Sequence, residues 1–110
     1  MDKVIRDGKV AVLYSPGYGT GWSTWGSGDT DELRQMPIFH PKLIAMVESG
    51  NSEGITDDWL IENIPELGGF YTGGKGSLKI EWVKQGDSFY IEEYDGSESV
   101  IVGSKDMIKA

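Results

Sequence analysis

Two stretches of the chain place glycines beside groups that recognise ligands. Tyr14-Ser15-Pro16-Gly17-Tyr18-Gly19-Thr20-Gly21-Trp22-Ser23-Thr24-Trp25 sets three glycines at alternate positions among four large aromatics, and Phe70-Tyr71-Thr72-Gly73-Gly74-Lys75-Gly76-Ser77 adds a lysine. Backbone free to take unusual dihedrals exposes amide donors, aromatic rings stack on planar groups, and a lysine meets an anion. Together they suit a planar, phosphorylated ligand. The expected binding residues are Tyr14, Gly17, Tyr18, Gly19, Gly21, Trp22 and Trp25 from the first stretch, with Arg34 in support, and Tyr71, Thr72 and Lys75 from the second. The competing reading is that Tyr14, Trp22 and Trp25 fill the core of a small protein while the glycines let the loop fold over them.

Neither stretch is a nucleotide-hydrolysing motif. Gly17, Gly19 and Gly21 lack the dinucleotide-binding spacing, and no amphipathic helix follows Trp22-Ser23-Thr24-Trp25. The second stretch starts like a P-loop, but Gly76 stands where a hydroxyl would hold magnesium, and a strand follows where a helix is required.

Catalytic constellations are absent as well. The chain has one histidine, His40, and no cysteine, which excludes disulfides, thiolate sites and any multi-histidine zinc site within one chain. His40 precedes Pro41 at the start of a predicted helix, so capping is favoured over base catalysis. Ser15 lies in Ser-Pro-Gly and not in a nucleophile elbow, and Glu92 and Glu93 point to opposite faces of a strand. No enzyme activity, metal or cofactor is expected.

Composition narrows the class further. The 110 residues fit one domain, and the net charge of −8 repels long nucleic acids. No apolar run reaches the length of a signal peptide or a membrane span, so a cytoplasmic protein is expected.

The elements that must position these residues follow from periodicity. Val4 to Arg6, Asp7-Gly8 and Lys9 to Tyr14 predict a hairpin. Asp29 to Leu33 predicts a short helical turn limited by Pro37, and firmer helices start at Pro41, capped by Gly50, and after Thr56. Leu78 to Trp82, Phe89 to Tyr94 and Val100 to Val102, separated by tight turns, predict a C-terminal meander. The expected fold is α+β, with a mainly antiparallel sheet packed against two short helices.

The set formed by the Tyr14–Trp25 stretch, Phe39-His40-Pro41-Lys42-Leu43, Ile80-Glu81-Trp82-Val83 and Tyr94-Asp95-Gly96-Ser97-Glu98-Ser99 resembles a family of small uncharacterised bacteriophage and prophage proteins. The resemblance implies an accessory protein that acts as a counter-defence factor. The leading expectation is a sponge that sequesters a small nucleotide-type ligand without chemistry, as a homo-oligomer. The alternative is an acidic inhibitor that binds a basic host protein.

Overall fold

Val10, Ala11, Val12 and Leu13 are consecutive and apolar, so a strand carrying them has an apolar group on each face and needs cover on both sides. The computed structural model, which describes residues 2–26, 28–103 and 108–110, provides that cover. Strand β2 (Lys9–Tyr14) is the centre of a three-stranded antiparallel sheet between β1 (Ile5–Arg6) and β3 (Lys79–Lys84). Ala11 and Leu13 face one core with Trp22, Leu43, Ile44, Ile55 and Leu60. Val10 and Val12 face another with Phe39, Val83 and Phe89.

The first core is roofed by helices α2 (Pro41–Glu48) and α3 (Asp57–Asn63). Thr56 caps α3 by accepting from the Trp59 amide, and the expected stop of α2 at Gly50 is realised with φ of 75°. There the Gly50 amide donates to Val47 and the Asn51 amide to Met46, the paired bonds of a Schellman motif. The second core is closed by a second antiparallel sheet in the order β5-β4-β6, with β4 at Ser88–Tyr94, β5 at Ser97–Val102 and β6 at Ile108–Lys109. Phe89 of β4 meets Phe39 edge-on, with ring centroids 5.9 Å apart.

The α+β class and the antiparallel pairing agree with the sequence reading, and two details differ. β3 pairs with β2 in six-residue register, from Lys9↔Lys84 to Tyr14↔Lys79, and not with β4. β1 offers β2 only two partners, so the rest of that doubly buried strand is completed from far along the chain. The turn at Gln85-Gly86-Asp87 therefore carries the chain from one sheet into the other.

The second difference is α1 (Asp31–Phe39), a full helix that runs through Pro37 instead of stopping there. Thr30 caps it by accepting from the Leu33 amide, and burial of Met36, Ile38 and Phe39 offsets the hydrogen bond that proline cannot donate. With α2 and α3, α1 makes three α-helices among the described residues. None among the described residues is long and apolar enough to cross a membrane.

Candidate functional site

Glu98 organises the glycine-aromatic loop. It lies on β5, between the exposed Ser99 and the part-buried Ser97, and is 1% exposed. One carboxylate oxygen accepts from the Ser15 amide at 3.0 Å. The other accepts from the Trp22 amide at 2.8 Å, the Thr24 amide at 3.0 Å and the Thr24 hydroxyl at 2.5 Å. The Glu98 amide in turn donates to the Ser15 carbonyl at 2.8 Å. The loop thus wraps a carboxylate belonging to its own chain.

The glycines serve close packing between three turns. The amides of Gly19 and Gly21 donate to the carbonyls of Asp95 and Gly96 at 2.6 and 2.8 Å, so the β4–β5 hairpin tip plugs into the loop. A Cβ on Gly96 would stand 2.7 Å from the Gly19 nitrogen, and one on Gly17 would stand 2.6 Å from the Ser77 hydroxyl. Gly74 presses against the Gly21 carbonyl so closely that any side chain there would collide with backbone. The two glycine stretches do meet, as expected, but glycine against backbone, with no gap between them.

The sequence-predicted site residues separate accordingly. Trp22 is fully buried, its indole donating to the Pro37 carbonyl at 2.8 Å and its ring edge-on to Phe70. It is a core residue, closed to a stacking ligand. Gly17 and Gly21 are packing points, whereas Gly19 supplies a positive φ of 74° and an amide to Asp95. Tyr14 is half-buried at the end of β2, opposite Lys79. Thr72 reaches Asp57 at 3.4 Å, and Lys75 sits in a 3-10 turn, Lys75–Ser77, packed on the turn Ser52–Gly54. Among the described residues, Lys75 is not on the wall of any of the clefts described below.

Tyr18, Trp25, Arg34 and Tyr71 stay accessible. Tyr18 is 73% exposed. The Trp25 and Tyr71 rings lie 5.7 Å apart, beside a cleft of about 470 Å³ whose far wall includes Leu33, Glu66 and Phe70. The Trp25 indole donates to Glu93 at 3.2 Å, and the Tyr71 hydroxyl donates to the Thr20 carbonyl. Arg34, on α1, pairs with Asp31 and lines a second cleft of about 490 Å³ between α1 and β4.

On the outer side of the same knot lies an aromatic and acidic tip. The Gly19–Asp95 hydrogen bond holds Tyr18 and Tyr94 each one residue from a shared contact, and Tyr94 is 76% exposed. Glu92, Glu93 and Asp95 neighbour Tyr94 in the chain and are exposed, Glu92 on the strand face of Tyr94 and Glu93 on the opposite one. Glu93 also accepts from the Gly96 amide at 2.7 Å, which fixes the hairpin tip from the inside.

His40 is the cap its position predicts. Its Nδ1 accepts from the Lys42 amide at 3.1 Å, and burial, then the nearby Lys42 charge, lower its pKa, with Glu66 pulling weakly the other way. Glu98 is the residue that sequence reasoning passed over. Strand parity carried no signal for it, because Val102 in the same phase is 51% exposed and Glu93, its cross-strand partner on the same face, is exposed too.

The chain matches no family model, no curated protein and no solved structure, so its function is read from the geometry described above.

Proposed function

We propose that this chain is a protein-binding module that engages a basic partner through the tip built from Tyr18, Tyr94, Glu92, Glu93 and Asp95. The observation that carries this reading is the Glu98 carboxylate inside the glycine loop, because it already occupies the donors an external phosphate would use. An anion approaching the loop meets backbone that is committed and a protein of net charge −8. A cationic surface is attracted by that field. Exposed tyrosines on a backbone fixed from beneath lose little entropy on contact, which is the usual character of interface anchors. A phage-type inhibitor of a basic host protein, without catalysis of its own, fits this surface.

The test is a pull-down from host lysate with the wild-type chain and a Tyr18→Ala/Tyr94→Ala double variant. One basic partner, released by salt and lost in the variant, is expected. Equal recovery by the variant overturns the reading.

Sequestration of a nucleotide-like ligand is the second reading, supported by the Trp25–Tyr71 pair beside its cleft. Calorimetry with cyclic and linear nucleotides checks it, with light scattering to ask whether an oligomer shares the pocket. An absence of heat with every nucleotide removes it.

A further inference from the structure

The second cleft, between α1 and β4, is separate from the tyrosine tip. Its floor is apolar, formed by Ile38, Ile91 and Ile108, and its volume of about 490 Å³ suits a small molecule. One wall carries a donor and an acceptor side by side. Arg34 gives Nη1 to the Gly28 carbonyl at 3.0 Å and Nη2 to Asp31, which leaves the guanidinium with further donors beyond those two bonds. Gln35, the next residue on the helix, can supply one of each kind.

Charge selects the occupant. The net charge of −8 disfavours an anion, and a cation would have to sit beside Arg34. A neutral ring avoids both costs. The Arg34–Asp31 pair is exposed, 54% and 86% at the two side chains, so its own attraction is weak and a ligand can insert into it. An edge with a carbonyl next to an N–H satisfies both members at once, while the ring face lies on the isoleucines.

We propose that the cleft between α1 and β4 binds an uncharged planar heterocycle bearing an amide-type edge, the class of free nucleobases and nucleosides, with Arg34 donating to the carbonyl and Asp31 accepting from the adjacent N–H. This rests on neither reading of the tip nor on the Trp25–Tyr71 cleft, because Tyr18, Tyr94, Trp25 and Tyr71 are all outside this wall.

Titration calorimetry with guanosine tests it on the full chain. Guanosine is expected to bind, with 1-methylguanosine, which lacks the N–H, and guanosine monophosphate each at least tenfold weaker. Arg34→Ala and Asp31→Asn, both surface changes that should leave the circular dichroism spectrum intact, are each expected to weaken guanosine at least tenfold. Absence of binding, equal affinity for 1-methylguanosine, equal or tighter binding of the monophosphate, or indifference to both substitutions overturns the proposal.

Discussion

The two Asp-Gly turns use the same residues and nearly the same backbone, yet their surroundings are opposite. Asp7-Gly8 has φ of 51° and 75°, and Asp95-Gly96 has 50° and 83°, so both have the paired positive dihedrals of a type I′ hairpin turn. A Cβ on Gly8 would meet nothing within 4 Å, whereas one on Gly96 would collide with the backbone of Gly19 and Thr20. The first turn only reverses a chain. The second is the plug around which the glycine loop closes, and the difference lies in residues 75 and more positions away. Identical local signals can therefore belong to an open corner and to a turn packed against backbone.

The strongest way to break this contrast is to remove what anchors the second turn. Glu98→Ala leaves the buried Ser15 and Trp22 amides, and the part-buried Thr24 amide, without their acceptor, and a loss of about 4 kcal/mol is expected in urea denaturation. Glu98→Gln keeps the shape but aims an amide group at those donors, so it should recover only part of that loss. A loss under about 1 kcal/mol for Glu98→Ala would mean that the loop is not held by its carboxylate.

Next in size is Gly96→Ala, which adds a steric conflict to a dihedral cost, for about 3 kcal/mol in all. Gly8→Ala bears the dihedral cost alone, about 1 kcal/mol. Because the two glycines differ so little in φ, the difference between these variants isolates the packing of the hairpin tip against the loop. Equal losses would abolish the distinction between the turns.

The smallest effect belongs to another purely local device, the His40 cap. Its pKa is lowered in the folded chain, so as pH falls below the ordinary 6.5 the unfolded chain takes up the proton first. Stability is therefore complete above that value and declines as pH drops through the folded pKa. Urea midpoints near neutrality and at about pH 5.5 should differ more for the wild type than for His40→Asn, whose side chain caps without titrating. Identical pH dependence in the two would show that the cap carries no such linkage.

The sequence was most legible where the cause is local. Asp-Gly marks both turns, Pro41 and Gly50 bracket α2, and Thr56 starts α3, each by chemistry contained within a few residues. Pro37 misled because local sterics were outweighed by burial of Met36, Ile38 and Phe39, which depends on distant partners. The glycine loop was recognised as unusual, but its use depends on Glu98, whose bond to Ser15 spans 83 positions. Trp22 looked like a stacking platform because nothing in its neighbourhood announces Phe70 or the Pro37 carbonyl. Arg34 was singled out for its charge, whereas Asp31, Ile91 and Ile108, which share its cleft, come from three different elements and carry no common sequence mark.

The pairing of β2 with β3 also sets an order of events during synthesis. A nascent chain halted before Lys79 carries Val10 to Leu13, all of them fully buried at the end, with only the two residues of β1 to pair with. Contacts of such long sequence separation form late, and an apolar strand without its partner is a target for chaperones or for other nascent chains. Even with β3 in place, the loop after Tyr14 stays open until Glu98 leaves the ribosome. A residue made 83 positions after Ser15 thus locks the loop that Ser15 begins.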